Sequence, residues 1–251
     1  MKSKKYIFGT YCVKTDIGKV RMTNEDRALA LTNAYGNILL VVCDGMGGSA
    51  KGEYAATLAT SMFEEAFSAK TKFHNTFEAT SWLRKWVRKI NTAIYDEGEK
   101  NAQYKGMGTT LSLALIVKDT MVLVQIGDSR VYSLRHNMLL QLTEDQTLVN
   151  YLFHLGKITK EEMATHPKRH VLMNALGIYP TIDMELKKVN YMNESVMVCS
   201  DGLYNNVSET DLATILKSND STSQKVNELI SLANANGGSD NIAVALWEAN
   251  E

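Results

Sequence analysis

Short apolar runs recur along the chain, and each has the length of a β-strand. They cover residues 38–43, 109–117, 121–126, 195–199 and 242–247. Only Lys118-Asp119 and its neighbours separate the second run from the third. A break this short predicts a hairpin of antiparallel strands rather than a helical crossover.

Three further segments repeat apolar residues with the period of an amphipathic helix, within residues 55–66, 83–94 and 226–233. The first two follow one another between two strand-rich halves of the chain. This order favours an α+β fold, in which helices cover antiparallel sheets, over a regularly alternating βαβ fold.

A polar stretch at residues 144–180 interrupts this pattern with mixed charges and three histidines. It predicts an excursion over the surface, which is either a lid or recognition element or a plain structural insertion. We call it the flap segment. No Gly/Ser-rich linker or internal repeat divides the chain, so we predict a single domain over residues 1–251.

Composition excludes several classes of protein. The 251 residues carry 27 Lys and Arg against 28 Asp and Glu, and the longest basic run is the interrupted one at residues 2–5. The balanced charges therefore predict no nucleic-acid surface. No apolar stretch approaches the length of a membrane span, so we expect none. Three cysteines, Cys12, Cys43 and Cys199, form no CxxC pair, and Cys43 and Cys199 lie in apolar runs. We therefore expect buried reduced thiols, no zinc site and a cytoplasmic protein. We also expect a monomer.

Four aspartates each stand beside an apolar strand and a glycine or serine: Asp44, Asp128, Asp201 and Asp240. One interpretation is turn formation, which favours Asp and Gly for local backbone reasons. The other is that the ends of these strands meet, because carboxylates brought together need a cation to offset their repulsion. Ligand sets made only of oxygen atoms select hard ions such as Mg²⁺ or Mn²⁺.

Two neighbouring features fit the second interpretation. Gly45 has no side chain to prevent its carbonyl from approaching an ion. Upstream, Arg21 could grip phosphate oxygens with its planar fork, and Glu25 and Asp26 could hold metal-bound waters. Taken singly, each of these three is more commonly a solvated surface charge.

Six short motifs occur in an order and spacing that resemble the metal-dependent protein phosphatases, or protein phosphatase 2C family, in its bacterial branch. They are Arg21-Met22-Thr23-Asn24-Glu25-Asp26, Asp44-Gly45-Met46-Gly47-Gly48, Gly108-Thr109-Thr110, Gly127-Asp128-Ser129-Arg130, Ser200-Asp201-Gly202-Leu203 and Gly238-Ser239-Asp240-Asn241. The resemblance implies a four-layer sandwich of two antiparallel β-sheets flanked by α-helices. It also implies hydrolysis of phosphoserine and phosphothreonine in proteins, in opposition to a serine/threonine kinase.

The resemblance further implies a role for each site residue. Two Mn²⁺ or Mg²⁺ ions would be bound by Asp44, the carbonyl of Gly45, Asp201 and Asp240. Asp128 would bind a third ion, Glu25 and Asp26 would hold metal-bound waters, and Arg21 would grip the substrate phosphate. As our own mechanistic hypothesis, the activated water attacks phosphorus directly, and a metal-bound water at Asp128 protonates the leaving oxygen.

Four positions depart from the family pattern. Met46 replaces the histidine of many eukaryotic relatives, and Asn205 replaces an acidic ligand of some others. Gln146 and Asn174 stand where bacterial relatives usually have His and Arg. Substrate preference is therefore less constrained by the resemblance than the metal chemistry is.

Three other functions would each need a residue pattern of their own. A cysteine phosphatase needs an arginine after a five-residue loop, which follows neither Cys43 nor Cys199. An aspartyl-phosphate hydrolase needs a second Asp two residues after Asp44, where Met46 stands. A binding module that has lost turnover needs damaged metal ligands, whereas the core set here is complete.

Overall fold

The computed structural model describes residues 8–48 and 50–250, so the basic run at residues 2–5 lies outside the described residues. Two antiparallel sheets pack face to face. The first sheet has the strand order β1-β11-β10-β7-β8. Its strands are β1 (Gly9–Asp16), β7 (Arg130–Arg135), β8 (Met138–Gln141), β10 (Ser195–Cys199) and β11 (Ile242–Ala249).

The second sheet has the order β2-β3-β5-β6-β9, with a short strand β4 also paired to β3. Its strands are β2 (Asp26–Thr32), β3 (Ile38–Met46), β4 (Gly108–Thr109), β5 (Leu111–Val117), β6 (Thr120–Ile126) and β9 (Glu185–Asn190). Within the described residues, the strand pairings in both sheets are antiparallel.

The described residues form seven α-helices, and four of them make the two outer layers. The seven helices are α1 (Ala50–Ser68), α2 (Thr76–Lys100), α3 (Leu148–His154), α4 (Lys160–Thr165), α5 (Asp201–Tyr204), α6 (Glu209–Lys217) and α7 (Thr222–Ala235), with a 3-10 turn at Ala102–Tyr104. Helices α1 and α2 share a core with the second sheet, and α6 and α7 share one with the first. The predicted α+β four-layer sandwich is confirmed.

The strand β3 explains why its sequence is apolar without alternation. Leu39 and Val41 face the core under α1 and α2, whereas Leu40 and Val42 face the core between the sheets. Both faces of the strand are thus buried, and every residue from 38 to 43 is buried. A central strand of a four-layer sandwich therefore carries a continuous hydrophobic run.

Most predicted elements are confirmed, including the hairpin at Lys118, which has a positive φ of 58°. The predicted strand at 109–117 was wrong at its start, because Thr110 interrupts it. The backbone of Thr110 donates to the carbonyl of Asp44 rather than continuing a regular ladder. Within the described ranges, no helix is both long enough and apolar enough to cross a membrane.

The flap segment contains α3 and α4 and leaves the sandwich after β8. Its two ends lie side by side, since Leu148 donates to the carbonyl of Val171 and Met173 donates to that of Gln146, each at 2.8 Å. The segment returns to the sandwich through Leu176, which is buried against the second sheet's helices. The flap segment therefore lies beside the ends of the central strands.

Candidate active site

An open cleft of about 770 Å³ lies at one end of the sandwich, where loops from both sheets meet. Seven of the eight predicted site residues line it: Arg21, Glu25, Asp44, Gly45, Asp128, Asp201 and Asp240. The eighth, Asp26, is buried beneath the cleft with 1% of its surface exposed. Residues more than 200 positions apart in the chain are therefore gathered at one place.

The pairing of β2 with β3 brings the first acids together. Asp26 lies directly opposite Asp44 in the antiparallel register, so their side chains leave the sheet on the same face. The next residue, Gly45, donates its N–H to the carbonyl of Glu25 at 3.2 Å. A Cβ atom at Gly45 would lie 2.2 Å from the carbonyl oxygen of Gly52. The close approach of these two backbones thus requires glycine.

Thr110 fixes the backbone of Asp44 and connects it to the loop that carries Asp128. Its hydroxyl accepts from the N–H of Asp44 at 2.9 Å, and its own N–H donates to the carbonyl of Asp44 at 2.8 Å. The same hydroxyl lies 2.9 Å from the hydroxyl of Ser129, the residue after Asp128. The hydroxyl and N–H of Thr110 and the hydroxyl of Ser129 therefore all have hydrogen-bond partners inside the protein.

Ser200 links the two sheets under the cleft. Its hydroxyl donates to Asp26 Oδ2 at 2.5 Å and accepts from the N–H of Ala243 at 2.8 Å. The next residue, Asp201, opens the short helix α5 and accepts from the Asn205 amide at 3.1 Å. Asp201 in the first sheet's loop is thereby held beside Asp26 of the second sheet.

Asn241 holds the loops that carry Arg21, Glu25 and Asp240. Its side-chain oxygen accepts from the N–H of Glu25 at 2.8 Å, and its amide nitrogen donates to the carbonyl of Thr23 at 2.9 Å. Arg21 Nη2 donates to Asp240 Oδ2 at 2.7 Å. Both partners of this ion pair are partly exposed to the cleft, so an incoming anion can reach the guanidinium.

A layer of side chains supports the loop of Asp128 from behind. Tyr204 donates its hydroxyl to the carbonyl of Asp128 at 3.0 Å. The Arg130 guanidinium lies 3.6 Å from the centre of the Tyr204 ring, as a cation–π contact. Arg130 also donates to both carboxylate oxygens of Asp145 at the start of the flap segment. The Asp128 loop and the flap segment therefore share one support.

The electrostatics of the cleft are those of crowded, buried carboxylates. Burial, followed by repulsion from Asp201 and Asp240, raises the pKa of Asp26 to about 8, although the hydrogen bond from the serine opposes the shift. Burial and nearby acids likewise raise the pKa of Asp44 well above its usual range, that of Asp128 to about 7 and that of Asp201 to about 6. Bringing a cation among these groups would relieve both desolvation and repulsion.

No group of three or more His, Cys, Asp or Glu side chains in the described ranges is arranged to hold an ion by itself. The predicted ligand set contains three of these side chains, Asp44, Asp201 and Asp240, so their present arrangement needs the Gly45 carbonyl, waters and a change of side-chain position to complete a site. In addition, Asp240 is paired with Arg21 and Asp201 with Asn205. Asp240 would have to release or share its arginine to bind an ion, whereas Asp201 accepts from Asn205 through only one of its two carboxylate oxygens.

The cysteines take no part in the cleft lining. Cys43 and Cys199 are free and fully buried, as predicted. Burial raises the pKa of the Cys43 thiol far above its usual range and that of Cys199 to about 12. Neither is therefore a thiolate at neutral pH, which argues against nucleophilic cysteine chemistry.

The sequence did not reveal which residues hold the acids in place. Thr110, Ser200 and Asn241 lie inside the quoted motifs, and their polar side chains next to apolar strands were the only available signal. Their partners include residues 66, 174 and 216 positions away in the chain. From the flap segment, Arg169 and His170 also line the cleft, and neither was predicted as a site residue.

Comparison with known proteins agrees with this geometry. The family model described as protein phosphatase 2C matches residues 19–246. The chain is 38% identical over 238 residues to the serine/threonine phosphatase stp of Listeria welshimeri, covering 94% of each chain.

Among solved structures, the chain resembles the serine/threonine phosphatase Stp1 from Staphylococcus aureus, with a TM-score of 0.90 and 31% identity over 98% of this chain and 97% of that one. It also resembles the catalytic domain of the phosphatase PstP, solved in complex with two manganese ions, with a TM-score of 0.84 and 32% identity over 97% and 99% of the two chains.

The fold and the acid-lined cleft define a phosphatase of the two-sheet sandwich type. The chain belongs to the protein phosphatase 2C family. The family predicted from the six motifs is thus confirmed, and with it the enzyme class, a protein serine/threonine phosphatase.

Proposed function

We propose that this protein removes phosphate from phosphoserine and phosphothreonine side chains of proteins in a reaction that depends on divalent metal ions. The observation that carries the proposal is the convergence of Arg21 with Asp44, Asp128, Asp201 and Asp240 on one open cleft. An arginine can bind phosphate oxygens, and the crowded carboxylates beside it can hold cations that bind the same phosphate.

The donor set fits two Mn²⁺ or Mg²⁺ ions. Asp44, the carbonyl of Gly45, Asp201 and Asp240 offer only oxygen atoms, the ligands that these hard ions prefer. The raised pKa values of Asp44 and Asp201 support the fit, because burial and the neighbouring carboxylates disfavour their ionised forms when no cation is bound. The two manganese ions of the related PstP structure make manganese the first ion to test.

Glu25 and Asp26 would hold waters around these ions, and Asp128 would hold a third ion. The position of Asp128 supports this role, because it lines the cleft while Tyr204 holds its backbone carbonyl. Asp26, in contrast, lies beneath the cleft and already accepts from Ser200. We therefore expect Asp26 to act through its neighbours more than by direct contact with substrate.

In the proposed mechanism, Asp44, the carbonyl of Gly45, Asp201 and Asp240 would hold the ions, which would supply the Lewis acidity that makes a water nucleophilic near neutral pH. Arg21 binds the phosphate oxygens and offsets the charge that builds up on them during in-line attack. To do so, Arg21 must release Asp240 and bind the phosphate instead, and the partial exposure of the Arg21 side chain permits this change of partner. Asp128 holds the water that gives a proton to the leaving serine or threonine oxygen.

We further propose that the physiological role is to oppose a serine/threonine kinase. The support is indirect and comes from the family. Since the cleft is open rather than enclosed by the described residues, a phosphorylated loop of a protein can reach it. The proposed substrates are therefore phosphoproteins and not only small phosphate esters.

The test measures hydrolysis of p-nitrophenyl phosphate and of a phosphothreonine peptide with Mn²⁺, with Mg²⁺ and with EDTA. Turnover should need the metal, and Asp201→Ala should lower kcat by on the order of 100-fold or more. The control is Asp119→Ala, which removes an exposed aspartate from the β5–β6 turn. Equal turnover in EDTA, or full activity of Asp201→Ala, would falsify the proposal.

A further inference from the structure

Another hollow borders the flap segment, and Arg169, which lines the catalytic cleft, does not line it. It is an open groove of about 880 Å³ between α3 and the stretch from 179 to 185. We call it the flap groove. None of the seven predicted site residues that line the catalytic cleft lines the flap groove. It is therefore a separate surface.

Exposed apolar side chains line part of the flap groove. Tyr151 from α3 is 52% exposed, Met173 is 51% exposed and Tyr179 is 68% exposed. Single exposed apolar residues are ordinary on protein surfaces. Three of them around one concave surface instead offer contact area for a partner's aliphatic or aromatic side chain.

The charged residues of the flap groove have one sign. Four carboxylates line it, Glu144, Asp145, Asp183 and Glu185, whereas no Lys or Arg does. Glu144 is paired with His154 and Asp145 with an arginine. Among the described residues, Asp183 and Glu185 take part in no ion pair, and both are exposed. The surface thus favours a cationic occupant and repels phosphate.

The flap groove is adjacent to the catalytic machinery. Gln146 lines the groove, and its N–H donates at 2.8 Å to the carbonyl of Gly127, the residue before Asp128. A chain with its phosphorylated residue in the cleft can therefore place a nearby segment in the groove. An occupant that belongs to the substrate chain would gain from this short separation.

Resting on the proposed function, we propose that the flap groove binds a segment of the phosphoprotein substrate that is rich in Lys or Arg and carries an aromatic or aliphatic anchor. Asp183 and Glu185 bind its cations, and Tyr179 and Met173 contact its anchor. The groove thereby selects substrates by a segment outside the phosphorylated residue and lowers KM rather than raising kcat.

The experiment compares phosphothreonine peptides of equal length that carry a basic-apolar, a neutral or an acidic segment. Gly/Ser spacers of several lengths join the segment to either side of the phosphothreonine, since the path between the two hollows sets the reach. For the best spacer, the wild-type enzyme with Mn²⁺ should show a KM about threefold to tenfold lower for the basic peptide than for the neutral one. The kcat should be the same, and added salt should reduce the difference.

The variant D183N/E185Q should lose the difference between the basic and neutral peptides, and Tyr179→Ala should reduce it. The matched control, E64Q/E65Q, removes two exposed acids from α1 and should keep the difference. All variants should hydrolyse p-nitrophenyl phosphate like the wild type. If the wild type itself does not hydrolyse p-nitrophenyl phosphate, the result contradicts the proposed function and not the flap groove.

Three results would overturn the flap-groove proposal. The first is an equal KM for all three wild-type peptides at every spacer length. The second is a preference for the basic peptide that survives in D183N/E185Q or disappears equally in E64Q/E65Q. The third is concentration-dependent self-association of the wild type that D183N/E185Q abolishes, because the occupant would then be a second copy of the chain.

Discussion

At the residue scale, the cleft is built from acids that are costly to bury and from small polar residues that hold them there. Asp26 is 1% exposed, yet it faces Asp44 in the strand register and accepts from Ser200. A buried carboxylate needs either a proton or a cation. The polar side chains around it supply hydrogen bonds but no net positive charge. The arrangement is therefore understandable as a site that a cation completes.

Asp128 is the acid whose proposed role can be separated from core metal binding. Replacing it in Asp128→Ala should leave Asp44 and Asp201 in place, because neither is bonded to the Asp128 side chain. The kcat should fall by about 10- to 100-fold, since one positioned proton donor is removed. The measurement is kcat for p-nitrophenyl phosphate at saturating Mn²⁺.

The control for that variant is Asp128→Asn, which keeps the size of the side chain and removes its charge. If the charge of Asp128 matters, both variants should be slow, and both should still bind Mn²⁺ in a calorimetric titration. Unchanged kcat in Asp128→Ala would remove the proposed role. Loss of all Mn²⁺ binding would show that Asp128 belongs to the core site.

At the element scale, one glutamine fastens both ends of the flap segment to the loop of Asp128. Gln146 Oε1 accepts from the N–H of Gly127 at 3.3 Å and from Asn174 Nδ2 at 3.0 Å. Its Nε2 donates to the carbonyl of Gln125 at 3.2 Å. The side chain thus joins β6, the turn after it and the end of the flap segment.

Gln146→Ala should therefore loosen the flap segment without removing any charge. The lost hydrogen bonds should lower the free energy of unfolding by about 1–2 kcal/mol. Hydrogen exchange of the amides in residues 148–172 should accelerate as well. The measurements are urea unfolding and exchange mass spectrometry. Gln103→Ala, at an exposed glutamine in the 3-10 turn, is the matched control, and equal protection of the flap segment in both variants would refute the clamp.

The flap segment also marks the limit of what could be predicted from the sequence. The long apolar runs and the amphipathic stripes predicted the central strands and α1, α2 and α7, because burial on one or two faces leaves a pattern. The edge strand β9 (Glu185–Asn190) has no fully buried residue, so its sequence carries little signal. The short helices α3 and α4 were likewise hidden by the mixed polarity of the flap segment.

For the site, strand-end placement predicted that the aspartates meet, and the structure brings them to one cleft. What the sequence could not supply is the pairing of each acid with its present partner. The contact of Arg21 with Asp240 joins residues 219 positions apart. Such a contact depends on the folded path of both loops, and no local pattern encodes it. The flap groove was not predicted for the same reason, because its walls are separate in sequence.

At the scale of the whole molecule, the two sheets meet at the cleft through polar contacts between acids and hydroxyls, whereas the core between them is mainly apolar. The core between the sheets contains residues such as Leu40, Val198 and Trp247. Ser200 and Asp26 join the same two sheets at the cleft end. Repulsion among the acids therefore acts on the packing of the sandwich itself. Stability should consequently depend on pH and on bound cation.

In EDTA, the free energy of unfolding should fall as pH rises from about 4 to about 8. The pKa values of Asp26, Asp128 and Asp201 are raised to about 8, 7 and 6 in the folded protein, whereas an unfolded chain ionises near 3.9. The folded state thus holds more protons across this window. The stability that these protons contribute is lost as pH rises through each folded pKa, by about 1.4 kcal/mol per pH unit for each extra proton.

Saturating Mn²⁺ should raise the unfolding temperature at pH 8 more than at pH 5, because it binds the ionised folded state. Thermal unfolding at several pH values, with Asp26→Asn as the variant that cannot ionise there, gives the measurement. A stability in EDTA that stays level or rises between pH 5 and pH 8, with the same slope in Asp26→Asn, would show that these carboxylates are not held in mutual repulsion.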